Sequence, residues 1–235
     1  MALPKINNAK YDTVIPSTGE TVQFRPYLVK EEKILMLAME SNDQKQIMNA
    51  TKDVIVSCVY DDIDVDNLAM FDIESLFLAL RSKSVGERID LKVKCDECDH
   101  MNDVQIDFDE IDIPVVDKES KTVMLTDDVG MTLRYPSYSD VSKIKPGKED
   151  SVDTAFNMIM SCVETVFDND GVYTAANEGP TAIKGFIESL SSAQFSKISA
   201  FFESMPAISH QLEFNCSSCG ENNTKDLRGI QSFFT

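Results

Sequence analysis

Ile89-Asp90-Leu91-Lys92-Val93-Lys94-Cys95-Asp96-Glu97-Cys98 alternates apolar and charged residues up to two cysteines held two residues apart. A period of two belongs to a strand with one buried face. Val104, Ile106 and Phe108 alternate in the same way beyond the cysteines, so the stretch reads as a strand, a cysteine-bearing turn and a returning strand. The same order recurs near the other end. Leu212-Glu213-Phe214-Asn215-Cys216 matches Leu91-Lys92-Val93-Lys94-Cys95, and Cys219 completes a second C-x-x-C. An asparagine follows each pair at the same distance, as Asn102 and Asn223.

Outward from these two stretches, the rest of the chain also reads as two passes through one order of elements. In the first, Tyr11 to Ile15 and Thr21 to Arg25 flank a Pro16-Ser17-Thr18-Gly19 turn and predict a hairpin. Ile34, Leu35, Leu37, Ala38 and Met39 then predict an amphipathic helix, with Glu31 and Glu32 in its first turn, where the helix dipole favours negative charge. A second helix is expected from Gln44 to Tyr60, with Ile47, Ala50, Val54 and Cys58 on one stripe. A third, carrying Leu76, Phe77 and Leu80, follows the acidic loop Asp61 to Asp66.

In the second pass, Gly130-Met131-Thr132-Leu133-Arg134-Tyr135-Pro136 echoes the segment from Gly19 to Pro26. A helix through Met158-Ile159-Met160-Ser161-Cys162-Val163 echoes Val54 to Val59, and Ser-Cys-Val occurs at these two places alone. An inserted stretch around Thr174 to Pro180 precedes apolar helical segments from Ile183 to Phe202. The expected fold is α+β and internally duplicated, each half a β-hairpin, two to three helices and a zinc-knuckle hairpin. Residues 1–110 form the first repeat, 111–122 an acidic linker and 123–235 the second repeat, with the halves joined at a shared zinc-ribbon-like site. A chance coincidence of short motifs is the alternative, because no long identical stretch supports the alignment.

The two-residue gap in C-x-x-C lets both sulfurs of one turn face a single ion, and two such turns supply four thiolates. Cys95, Cys98, Cys216 and Cys219 are therefore the candidate ligands of one structural Zn2+ per chain. Paired knuckles usually lie some fifteen to twenty residues apart, far closer than Cys98 and Cys216. A pseudo-twofold packing of the halves would remove that difficulty. A redox C-x-x-C, unmetallated thiols, and two separate sites completed by His100 or an outside ligand are the competing readings. His100 and His210, the two histidines of the chain, read as solvated polar residues. Cys58 and Cys162 fall in apolar helical surroundings and read as small buried hydrophobes.

With 22 basic against 40 acidic side chains the net charge is −18, which opposes the phosphate neutralisation that nucleic-acid binding requires. The apolar run Ile34 to Met39 is far too short to span a bilayer, and Met1 to Lys10 has no signal or transit pattern. An unexported chain without a membrane span is expected. Asp62, Asp64 and Asp66, and Asp168 and Asp170, begin like a calcium loop. Asn67 and Ile73 stand where such a loop needs glycine and a bidentate glutamate. Phosphate loops, G-x-S-x-G and H-E-x-x-H are absent, so neither catalysis nor a small-molecule substrate is expected. Phe195, Ile198, Phe201 and Phe202 read as a core stripe, and Phe233-Phe234 as a terminal anchor or a pair docked on its own domain.

Ala2-Leu3-Pro4-Lys5, Pro16-Ser17-Thr18-Gly19-Glu20, Phe24-Arg25-Pro26-Tyr27-Leu28-Val29-Lys30-Glu31-Glu32-Lys33 and Met39-Glu40-Ser41 resemble the start of the T4-type phage baseplate hub protein family. The resemblance implies a structural or assembly component of a contractile tail, with other phage baseplate and hub proteins as partners and no catalytic residues. It places the chain in the host cytoplasm during assembly, or in the virion tail baseplate. A zinc-ribbon adaptor or regulator binding other proteins of the infected cell is the rival reading, as is a thiol oxidoreductase.

Overall fold

The computed structural model describes residues 7–41, 43–111, 121–144, 151–229 and 232. The chain divides into two compact units, one from Met1–Val65, Phe71–Val115 and Ala207–Thr235, the other from Asp66–Met70 and Val116–Pro206. Both mix helices with small antiparallel sheets, in keeping with the α+β class expected from the two hydrophobic periods. Most of the linker expected over 111–122, the opening Ala2 to Lys5, and Phe233-Phe234 lie outside the described residues.

In the first unit β1 (Tyr11–Val14) and β2 (Thr21–Phe24) pair as the expected hairpin. Gly19 turns the chain at a φ of 73°, a left-handed conformation that costs glycine nothing. Helix α1 (Val29–Glu40) packs on α2 (Gln44–Cys58). The Asp43 carboxylate caps α2 by accepting the amides of Lys45 and Gln46. Helix α3 (Met70–Val85) buries Phe71, Ile73, Leu76, Phe77, Leu78 and Leu80 in this unit.

Two further hairpins complete the unit: β3 (Arg88–Lys94) with β4 (Met101–Asp107), and β9 (Ser209–Asn215) with β10 (Asn222–Arg228). A two-stranded hairpin is marginal alone in water. Here Ile89, Leu91 and Ile106 of one hairpin and Leu212 and Phe214 of the other share a core with Leu78, Ile111 and Ile208. The hairpin that is last in chain order thus belongs to the same compact unit as β3 and β4.

In the second unit β5 (Thr122–Met124), β6 (Gly130–Leu133), β7 (Val163–Phe167) and β8 (Val172–Thr174) form an antiparallel sheet in sequence order. Gly130 is required there, because the Phe167 ring and the Met124 sulfur occupy the space a Cβ would need. Helices α4 (Tyr138–Ser142), α5 (Val152–Ser161), α6 (Ala175–Glu188) and α7 (Ser192–Glu203) accompany the sheet. Helix α6 is broken at Gly179, where φ is 80°, and resumes at Pro180, a residue suited to a first helical turn. Within the stripe expected around α7, Ile198 and Phe201 are buried. Phe195 stacks on Phe156, and Phe201 on Tyr135.

Three local expectations are corrected. Helix α2 stops at Cys58, short of Tyr60, and Val59 is extended. Helix α5 stops at Ser161, and Val163 opens a strand. Val163, Thr165, Val166 and Phe167 are β-branched or aromatic residues that gain a ladder partner in β6. Ile34, Leu37 and Met39 of α1 are exposed, and the buried face is Glu31, Leu35 and Ala38.

Glu31 faces inward because Arg25 is there to meet it. The Arg25 guanidinium donates to Glu31 Oε1 at 2.8 Å, to the Ser57 carbonyl at 2.9 Å and to the Pro26 carbonyl at 3.0 Å. Glu31 also accepts the Leu28 amide, and the Arg25 amide donates to the Cys58 carbonyl. The second unit repeats each contact. Arg134 donates to both oxygens of Asp140, to the Ser161 carbonyl at 2.7 Å and to the Tyr135 carbonyl at 3.2 Å. Asp140 accepts the Ser137 amide, and the Arg134 amide donates to the Cys162 carbonyl. In both units the clamp ties a strand end, a helix start and the Ser-Cys end of another helix together. The residue after each cysteine then pairs with the residue before each arginine, Val59 with Phe24 and Val163 with Leu133.

Burial alone would raise the Glu31 carboxyl, but hydrogen bonds from Arg25, the Leu28 amide and Lys30 hold it at about 2. Asp140 is held at about 2 against burial in the same way by Arg134 and Ser137. A carboxylate depressed on folding contributes stability above its unfolded value, and that stability is lost as pH falls through the folded value. The relevant window therefore opens near the ordinary values of 4.5 and 3.8 and closes near 2. Urea unfolding followed across that window should show a steep acid loss of stability that Glu31→Gln with Asp140→Asn flattens. An unchanged acid limb in the double variant would contradict ionised clamps. Arg25→Ala, which takes the guanidinium away from a buried carboxylate, should cost about 3 kcal/mol.

Candidate metal centre

Each cysteine turn is built in the same way. The Cys95 amide donates to the His100 carbonyl at 2.9 Å and the Asp99 amide to the Cys95 carbonyl at 3.2 Å. In the other hairpin the Cys216 amide donates to Glu221 at 2.8 Å and the Gly220 amide to Cys216 at 2.9 Å. The residue after each second cysteine is left-handed, Asp99 at a φ of 59° and Gly220 at 77°. Aspartate and glycine are among the residues that tolerate this region.

These turns bring Cys95, Cys98, Cys216 and Cys219 into one cluster whose sulfurs all lie within 4.8 Å of one another. Cys95 and Cys219 are 3.8 Å apart, and Cys98 and Cys216 are 3.6 Å apart. Both separations are far too long for a disulfide, whose sulfurs sit about 2 Å apart. They suit a tetrahedral ion with sulfur bonds of about 2.3 Å, which requires sulfur edges of about 3.8 Å. Cys95 and Cys216 are buried, and Cys98 and Cys219 are exposed.

The electrostatics of the cluster also suit a cation. The Cys98 amide, with the Glu97 amide and Asn223, outweighs desolvation and pulls the Cys95 thiol below its ordinary value. Cys216 is pulled down to about 6 by the Cys219 amide against desolvation, helped by the Ser218 amide, Cys98 and Asn102. The Glu221 amide favours the Cys219 thiolate, yet Cys98, desolvation, Cys216 and Cys95 together push that thiol up to about 12. Crowded thiols resist joint ionisation because like charges repel. A divalent ion held by these four residues would remove the conflict by favouring the thiolate form of each.

His100 is exposed, and His210 turns its Nδ1 to the Glu110 carbonyl at 2.9 Å; neither joins the cluster. Cys58 and Cys162 are buried, each in its own unit, and burial pushes both thiols up to about 11. Asp168 is used locally, accepting the amides of Asp170 and Gly171 to close the β7–β8 turn. The contacts of two groups of residues are not foreseen from the sequence. The clamp carboxylates Glu31 and Asp140 carry a faint signal, each lying six residues after the arginine it binds. The recurring Asn102 and Asn223 are visible in the sequence, but their contacts to the opposite turn are not.

Residues 8–235 match the family described as T4 bacteriophage base plate protein, and the chain belongs to that family. No curated protein and no solved structure matches it. Among the described residues no helix is long and apolar enough to cross a membrane.

After chelator treatment, a thiol reagent at neutral pH should label the exposed Cys98 in folded protein. Cys58 and Cys162 should react only on unfolding, since a buried, protonated thiol is a poor nucleophile. Peptide mapping by mass spectrometry reads the outcome, and labelling of Cys58 or Cys162 in folded protein would contradict their placement.

Proposed function

We propose that this chain is a non-enzymatic component of the baseplate hub of a contractile phage tail. It acts through contacts with other baseplate and hub proteins and carries one structural Zn2+ on Cys95, Cys98, Cys216 and Cys219. Membership of the baseplate family carries the reading. Four thiolates fill a tetrahedral shell and leave no position at which water or substrate could be activated, which favours a structural ion over a catalytic one. The sulfur spacings suit a tetrahedral four-thiolate ion, and zinc is the proposed one.

We further propose that the chain arose by internal duplication. The matched arginine clamps, the matched pairings of Val59 and Val163, and the two alike cysteine turns support it. The acidic surface implied by a net charge of −18 suits basic patches on neighbours, steering encounter and opposing wrong contacts. Assembly takes place in the host cytoplasm.

Quantitative mass spectrometry of purified particles, beside partly assembled baseplates, tests the role. The chain is expected at a fixed ratio to other baseplate proteins in the intermediates. Retention in infectious particles marks a permanent subunit, and loss from them an assembly factor. Absence from both preparations would overturn the proposal.

A further inference from the structure

Asn102 and Asn223 occupy positions that the alternation of β4 and β10 reserves for the buried face, and both are almost wholly buried. A buried amide is costly unless its donors and acceptor are used. Each of these finds its partners on two hairpins at once. Asn102 Nδ2 donates to the His100 carbonyl of its own turn at 3.1 Å and reaches the Cys216 sulfur of the other at 3.7 Å. Its Oδ1 accepts the Ser217 amide at 2.8 Å and the Ser217 hydroxyl at 2.9 Å. Asn223 mirrors this arrangement. Its Nδ2 donates to the Glu221 carbonyl at 3.0 Å and reaches the Cys95 sulfur at 3.5 Å, while its Oδ1 accepts the Asp96 amide at 2.9 Å. The side-chain orientation is forced, because a backbone amide only donates and a carbonyl only accepts.

Each asparagine therefore reads the other hairpin's first cysteine and the residue after it. Leucine in the same slot would fill the core without making either contact. We infer that Asn102 and Asn223 are reciprocal positioning residues of the metal centre, each locking the opposite cysteine turn and donating an N–H···S bond to its first thiolate. The inference rests on the metal reading proposed above. Its physical content is that the two half-sites are fitted to each other, so the ion meets four sulfurs already gathered. Outer-shell partners of this kind are typically worth about 10- to 100-fold in metal affinity.

The test is competitive titration of Zn2+ against a chromophoric chelator, with Co2+ absorption as a second readout. Asn102→Asp keeps an acceptor for Ser217, removes the N–H···S donor and sets a carboxylate beside Cys216. Asn223→Asp does the same beside Cys95. Each should weaken Zn2+ binding by about 10- to 100-fold, with one metal per chain and the thiolate-to-cobalt charge-transfer bands retained. Unchanged affinity in both folded variants would overturn the inference, leaving the asparagines as satisfied core residues. A fold-independent measurement uses the wild-type chain loaded with 113Cd. The side-chain amide protons of Asn102 and Asn223 should show coupling to the metal through sulfur, and its absence at both would equally overturn the inference. A wild-type chain that binds neither Zn2+ nor Co2+ would instead remove the metal reading, and this inference with it.

Discussion

Four sulfur atoms that crowd within 4.8 Å are the constraint on which the first unit turns. Cys98 and Cys216 are 118 residues apart in sequence, yet the entropy of closing a loop grows only logarithmically with its length. Distance along the chain is thus a weak objection to the contact. The stronger requirement is local. Two narrow hairpins, each marginal alone, must present their turns to each other at the spacing of a tetrahedron. The core from Leu78 through Phe214 aligns their bases, and Lys225 with Asp96 adds an ion pair across the tips. An exposed pair of that kind contributes little by itself. The core holds the hairpins at one end and hydrogen bonds between the cysteine turns hold them at the other.

The arginine clamps answer a different need. In each unit a strand must end, a helix begin and a second helix stop within a few ångströms, which leaves carbonyls and amides without intrahelical partners. One guanidinium with its five donors can meet a carboxylate and two carbonyls together. Arg25 does so around Glu31, and Arg134 around Asp140. Such buried pairs are poor sources of net stability but are destabilising to break, and their reuse in both units is consistent with descent of the two from one ancestor.

Much of the α+β fold was legible, because the period of two around Ile89 and Leu91 and the three-and-four stripe of Ala50, Val54 and Cys58 both report a buried face. The cysteine cluster was legible for a chemical reason, since C-x-x-C fixes two ligands in one turn. Helix α1 misled, because Ile34, Leu37 and Met39 are apolar yet exposed, while Glu31 is charged yet buried. Hydropathy cannot reveal that a carboxylate has an arginine waiting for it. Helix α5 misled for a related reason. Met158 to Val163 copies Val54 to Val59 closely, and in both places the residue after the cysteine has left the helix to pair with the residue before the arginine; in the second unit that pairing continues into β7. The asparagine contacts were hidden because they join residues over a hundred positions apart.

Membership of the baseplate family sets the setting, and the cluster sets the chemistry proposed within it: an ion that holds two hairpins together and takes no part in a reaction. X-ray absorption at the zinc edge of the purified chain, combined with its metal content, tests that claim most directly. The account predicts one zinc per chain in a shell of four sulfurs at about 2.3 Å. Nitrogen or oxygen in that shell, or a chain purified without chelator that holds no zinc, would contradict it.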